Sequence, residues 1–269
     1  MLTSRNNPMI KQIRALRQRR EREATGLFFI EGIRNVTEAT QANAAIEQLI
    51  VAPELLRSQF AQELVVQQRQ QGITILEVSG EVFASLSSKD GPQGLAAVVQ
   101  QQWSSLAEVR PEQGLCWIAL NAISDPGNLG TILRTGDAVG ATGVILLGDC
   151  TDPYDPATAR ASMGTLFSQR LVKATWAEFR QWLGQSGFNL VGAADSASSH
   201  YRSYRYLQPL ILLMGSEREG LDAEQQAQCQ ALVSLPMRGQ ADSLNLAVAT
   251  GVLLYEILAQ ADQAAANKA

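Results

Sequence analysis

Two rhythms of apolar residues divide the chain. In the first hundred residues they are mixed. "NPMIKQIRALRQRR" spaces Ile10, Ile13 and Leu16 three apart with arginines on the other faces, which predicts a helix. "LFFIEGI" predicts a short buried strand ending in a turn at Gly32. "IEQLIVA" and "ITILEVS" predict two more strands with a Gln-rich helix between them, and "LSSKDGPQGLAAVV" a turn and another strand. "QQWSSLAEVRPEQ" is polar and unpatterned and predicts a linker. From Leu115 the rhythm changes to continuous apolar runs, "LCWIAL", "GVILLG", "NLVGAA", "LILLMG" and "LVSLP", separated by helical stretches. Such runs are the mark of a parallel sheet covered on both faces. The expected organisation is therefore α/β throughout: a small domain over 1–100, a linker over 101–113 and a larger domain over 114–269. The closing helix, "SLNLAVATGVLLYEILAQ", is expected to start at Ser243 as its N-cap.

Composition narrows the chemistry. The chain has 269 residues, 46% hydrophobic and 18% charged, enough for two globular cores. Cys116, Cys150 and Cys229 lie far apart, which argues for a reducing compartment and against a cysteine-built metal site. A single histidine, His200, excludes a multi-histidine site within one chain, so no metal is expected. No apolar run reaches membrane-spanning length and the basic N-terminus lacks a signal-peptide core, so the expected location is cytoplasmic. The net charge of −4 conceals eight Lys+Arg against three Asp+Glu in residues 1–34. That segment suits a polyanion, although a solvated helix face would carry the same pattern.

Three loops follow apolar runs and hold most of the candidate chemistry, where loops leave the carboxyl ends of strands. In "SDPGNLGTILRTG" the triplet Asp125-Pro126-Gly127 predicts a turn, with Asn128 capping the next helix. Leu129, Ile132, Leu133, Gly136 and Val139 share its core face, and Arg134 falls off that face, where its guanidinium can reach an anion or a ribose. The Gly-Lys pair of a P-loop is absent. Gly127 and Gly130 match two of the three glycines of a dinucleotide fingerprint, and Asp149 stands near the ribose-binding position, so a nicotinamide-dependent reductase stays open here. "LLMGSEREGL" sets Gly215, Glu217 and Gly220 around a turn, with Gly215 allowing a ligand close to the backbone. "LPMRGQADSLN" presents Ser243 and Asn245 at a helix N-terminus.

"NAISDPGNLGTILRTGDAVGATGVIL", "LLMGSEREGL" and "LPMRGQADSLNLAVATGVLLYE" resemble the three motifs of the SpoU family of RNA ribose 2′-O-methyltransferases, within the SPOUT superfamily. More loosely, "SRNNPMIKQIRALRQRR", "FFIEGIRNV" and "SSKDGPQGLAAVV" are similar to that family's ribosomal-protein-like RNA-binding domain. The resemblance implies a trefoil-knot domain that binds S-adenosylmethionine and works as a homodimer. By motif, Gly215, Leu235 and Leu244 would hold the cofactor, and Asn128, Arg134, Glu217, Ser243 and Asn245 would form the catalytic cluster. Arg134 would either accept the ribose proton or stay charged and grip the adjacent phosphate. The second is favoured, because a guanidinium does not deprotonate in proteins. Lys11, Arg14, Arg17, Arg19, Arg20 and Arg34 are the expected RNA contacts. Ribosomal RNA is favoured over transfer RNA because a further domain precedes the knot. A non-catalytic RNA-binding protein is the remaining alternative. "HYRSYRYLQ" is either a stacking surface for bases or a structural loop.

Overall fold

In a computed structural model, which describes residues 1–88, 90–111 and 114–267, the chain forms two compact units. One is Met1–Gln101 with Asp152–Ser168; the other is Gln102–Thr151 with Gln169–Ala269. Lys89 of the expected turn, Glu112 and Gln113 of the expected linker, and Lys268 and Ala269 of the second domain lie outside the described residues.

The first unit opens with α1 (Pro8–Ala15) and α2 (Arg19–Thr25), followed by β1 (Leu27–Glu31), α3 (Ile33–Gln41), β2 (Ile46–Val51), α4 (Gln59–Gln70), β3 (Thr74–Glu77), α5 (Gly80–Leu86) and β4 (Leu95–Gln100). The strands form a sheet in the order β1-β4-β2-β3, antiparallel except for the β2/β3 pair. Ile10, Ile13 and Leu16 are buried as their spacing predicts, against Phe29, Val82, Phe83 and Val98.

The second unit starts with β5 (Trp117–Asn121), α6 (Pro126–Ala138) and β6 (Gly143–Leu147). The chain then contributes α7 (Pro156–Ala161) to the first unit. It resumes with β7 (Arg170–Ala174), α8 (Trp176–Ser186), β8 (Asn189–Ala193), β9 (Ser199–His200), β10 (Leu210–Met214), α9 (Ala223–Gln228), β11 (Ala231–Ser234) and α10 (Leu246–Ala266). The sheet order is β7-β6-β5-β10-β8-β11-β9, every pair parallel. All five apolar runs are strands. Two strands escape the pattern: the apolar run of β7 is broken by exposed Arg170 and Lys173, and β9 is two residues long. Beside β5 the strand order changes direction, with β6 on one side and β10 on the other, so the β5–α6 and β10–α9 loops leave adjacent carboxyl ends. Ligands of open α/β sheets bind at such a switch point.

Residues 152–168 depart from the expected division, which kept them in the second domain. Their anchors are far away in sequence. Arg22, 1% exposed, pairs with Asp152 at 2.7 Å and with Asp155 at 3.4 Å, and donates to the Leu16 and Arg17 carbonyls. Phe28 packs on Tyr154 with ring centroids 4.6 Å apart, and the Arg34 Nε donates to the Met163 carbonyl at 3.1 Å. The expected linker also has structure in the second unit: Ser104 bridges to Val172, and Leu106–Glu108 form a 3-10 turn. No helix among the described residues is long and apolar enough to cross a membrane.

Candidate active site

At the switch point the three loops meet through side chains. Glu217, in the β10–α9 loop, is the hub. One carboxylate oxygen accepts from the Ser124 amide at 3.1 Å and the Ser124 hydroxyl at 3.3 Å. The other accepts from the Asp125 amide and from Asn128 Nδ2, both at 3.2 Å. Asn128 in turn accepts from Asn245 Nδ2 at 2.9 Å, and Asn245 caps α10 by accepting from the Ala247 and Val248 amides. One hydrogen-bonded chain thus joins the β5–α6 loop, the β10–α9 loop and the start of α10.

Two helix caps differ from expectation. Asp125, not Asn128, caps α6: its side chain accepts from the Asn128 amide at 2.7 Å, and Pro126 takes the first helical position, where its missing N–H costs nothing. That leaves the Asn128 side chain free for Glu217. At α10 the cap is Asn245 and not Ser243, which stands exposed at the cavity described next. Gly215 has a structural reason of its own. A Cβ there would overlap the backbone of Gly220 and Leu221, so this glycine lets the turn fold back on itself at the edge of the cavity described next.

Beside this chain lies a cavity of about 560 Å³. Residues 215–221 form one wall, Leu235, Met237, Leu244 and Leu246 supply apolar surface, and Ser243 and Asn245 reach it as well. Asp195 and Ser196, beyond β8, also line it; the sequence reading missed them, although polar "DSAS" after an apolar run was the available signal. Arg134 is exposed on α6 and, among the described residues, makes no hydrogen bond or ion pair. The geometry disfavours a dinucleotide. Gly127 and Gly130 lie inside α6 rather than in a turn before it, and carboxylates of Glu217 and Asp125 already occupy the amides of Ser124, Asp125 and Asn128. A pyrophosphate would meet negative charge there.

The sequence from Cys116 to Tyr255 matches the family model for the SpoU rRNA methylase family, and residues 7–97 match an MRM3-like substrate binding domain. The chain belongs to the SpoU rRNA methylase family. This SpoU chain is 30% identical to a 23S rRNA (uridine(2479)-2′-O)-methyltransferase of Streptomyces viridochromogenes, over 96% of its own length and 92% of the relative's. It is 28% identical to a Bacillus subtilis 23S rRNA (guanosine(2553)-2′-O)-methyltransferase, covering 95% and 98% of the two chains. An AdoMet-bound rRNA methyltransferase from Sinorhizobium meliloti superposes with a TM-score of 0.87 at 37% identity, covering 95% of this chain and 96% of that one. The fold class is accordingly the SPOUT knot domain with an α/β substrate-binding domain before it.

Burial raises the affinity of the Glu217 carboxyl for its proton, but the hydrogen bonds it receives from backbone and from Asn128 outweigh this and hold it below the usual carboxylate range. A carboxyl with a lowered folded-state pKa contributes order above its unfolded value of about 4.3 and loses it as pH falls through the lower folded value. In the SpoU site the hydrogen-bonded chain should therefore be intact at neutral pH and fail only in acid. Glu217→Gln replaces one acceptor with an amide donor facing N–H groups. We expect roughly tenfold slower turnover from this variant at pH 7. Ligand-induced thermal shifts followed from pH 7 to 3.5 should fade for the wild type and stay flat for the variant.

Several of the expected RNA contacts of this SpoU chain are already engaged within the first unit. Arg17 donates to the Leu86 and Ser87 carbonyls at 2.7 and 2.9 Å, so it caps α5. Arg14 donates to Ser85 Oγ at 2.9 Å, and Arg19 pairs with Glu23 at 2.9 Å. Arg34 holds the Met163 carbonyl, while Lys11 and Arg20 are exposed. The aromatic stretch is a structural loop: Tyr201 and Tyr206 are buried, and the Tyr206 hydroxyl donates to the Tyr201 carbonyl at 3.0 Å. His200 Nδ1 accepts from the Arg202 amide.

Proposed function

We propose that this protein transfers a methyl group from S-adenosylmethionine to a ribose 2′-hydroxyl of ribosomal RNA. The observation that carries this reading is the Ser124–Glu217–Asn128–Asn245 hydrogen-bonded chain along the wall of the cavity. The cavity suits the donor: Leu235, Met237, Leu244 and Leu246 offer apolar surface for the adenine, and Asp195, Ser196 and Ser216 offer polar groups for the ribose hydroxyls and the amino-acid end. Leu235 and Leu244 would flank the cofactor, and the turn at Gly215 would present backbone to it. When bound, the donor supplies a methyl group on a sulfonium.

The chain's own residues supply the rest. Asn128, held from both sides by Glu217 and Asn245, orients the sugar edge; Ser243 offers a further hydroxyl at the cavity mouth. Arg134 grips the neighbouring phosphate through its guanidinium and stabilises negative charge as it grows on the 2′-oxygen. Lys11 and Arg20 hold RNA phosphates at the first unit. The named 23S rRNA methyltransferases among the relatives support ribosomal RNA over transfer RNA. An RNA target keeps the cytoplasmic location expected above.

The working unit is a homodimer. Val248 and Tyr255, seven residues apart on one face of α10, are 53% and 54% exposed, beside a cavity of about 610 Å³ between α6 and α10. A second copy covering that face would bury both and meet Arg134 next to Thr131 and Thr135 of the same cavity.

The deciding experiment supplies S-[methyl-³H]adenosylmethionine with ribosomal RNA and transfer RNA, then maps label by alkaline hydrolysis, which 2′-O-methylated linkages resist. Label in one alkali-resistant dinucleotide of ribosomal RNA is expected. Label on a base, or transfer to transfer RNA alone, refutes the assignment, and donor binding without turnover leaves a binding protein.

A further inference from the structure

The first unit contains a cavity of about 250 Å³ that nothing above uses. It is smaller than a typical small-molecule site and suits one planar base. Phe29, Leu86 and Ala157 give it apolar walls, and Glu31, Asn35, Asp155, Arg17 and Arg160 give it polar ones. Glu31 is the unusual member. It ends β1 and is 8% exposed, yet forms no ion pair among the described residues. Its carboxylate accepts from the Ser87 hydroxyl, and from the Ser88 amide at 3.1 Å. A carboxylate has about four acceptor sites, so roughly two remain. A buried carboxylate not directly paired is costly unless donors satisfy it, and Arg17 at this cavity spends its donors on the Leu86 and Ser87 carbonyls. At the rim, exposed Arg160 spends one N–H on Ser88 Oγ at 3.4 Å and keeps the others.

We infer that this cavity receives one unpaired guanine of the RNA substrate, an inference that rests on the RNA reading above. Guanine carries adjacent N1–H and N2–H donors, which a carboxylate accepts side by side. Uracil offers one N–H between two carbonyls, which the carboxylate repels. Cytosine and adenine offer an amino group next to an acceptor. Unpaired bases read on their Watson–Crick edges are the usual route to sequence preference in RNA. Arg160 binds the adjacent phosphate.

Fluorescence anisotropy on the full chain tests this with octa-uridine RNA and the same strand carrying one central guanosine. The wild type should bind the guanosine strand about tenfold more tightly, in line with one bidentate contact. Glu31→Gln should bring the two within about twofold. Because that residue also holds Ser87 and Ser88, Ala157→Leu provides a second variant: it fills the cavity, suits a helix and keeps the amide that donates to Asp155. It should erase the preference without changing Tm. Arg160→Ala should weaken both strands alike. Equal wild-type affinities, or a preference that survives Ala157→Leu, would overturn the inference, and displacement of the guanosine strand by excess GMP would reassign the cavity to a free nucleotide. If neither strand binds while S-adenosylmethionine still raises Tm, the RNA reading itself fails and takes this one with it.

Discussion

Arg134→Ala should lower the methyl-transfer rate by about 10²–10³ while leaving the thermal shift induced by S-adenosylmethionine unchanged. The two halves of that result have different origins. Arg134 does not line the 560 Å³ cavity and, among the described residues, bonds to nothing, so removing it disturbs neither the donor site nor the fold. Its value is realised only when RNA brings a phosphate and a developing negative charge. Arg134→Lys separates the possible roles. If the guanidinium acts as a charged clamp, lysine keeps the charge but loses the two-pronged geometry, and activity should recover to no more than about a tenth of wild type. If Arg134 acts as a proton acceptor, lysine, whose ammonium gives up its proton more readily than a guanidinium, should match or exceed the wild-type rate and rise with pH. Single-turnover rates across pH 6.5–9 distinguish the two.

The site was legible in outline because its residues sit at fixed offsets in short loops after apolar runs. The hydrogen bonds between the loops were not. Asn128 and Asp125 are both good helix caps, and only Pro126 at the first helical position tells which one is used. Ser124, whose amide and hydroxyl both bind Glu217, carries no distinguishing sequence signal, since serine before a turn is common. Likewise Ser243 and Asn245 are equally plausible starts for α10 until the Asn245 side chain is seen accepting two amides. Strands were readable wherever both faces are buried, as in β5, β6 and β10, and were missed at the sheet edge, where Arg170 and Lys173 break the apolar run of β7. Residues 152–168 were misassigned for a different reason. Their composition is small and polar, and the residues that hold them, Arg22, Phe28 and Arg34, are more than a hundred positions away.

Arg22 shows why a basic run cannot be read as one surface. In "RQRRERE" it looks like its neighbours, but helix geometry turns it inward, where two carboxylates and two carbonyls surround it. Arg22→Ala should destabilise the first unit by about 3–5 kcal/mol, because it strands the Asp152 carboxylate and the Leu16 and Arg17 carbonyls in the interior. Arg22→Lys should lie between, since a single ammonium cannot serve both aspartates and both carbonyls. Arg20→Ala, two residues away and exposed, should fall within about 0.5 kcal/mol of wild type. Urea titration read by tryptophan fluorescence is unsuited, because the chain's tryptophans are Trp103, Trp117, Trp176 and Trp182, all in the second unit. Hydrogen exchange of the amides of residues 152–168 reads the first unit directly. Fast exchange there in Arg22→Ala, with β5 and β10 still protected, is the expected pattern. Protection equal to wild type would mean that Phe28 packed on Tyr154 holds the segment without the ion pairs.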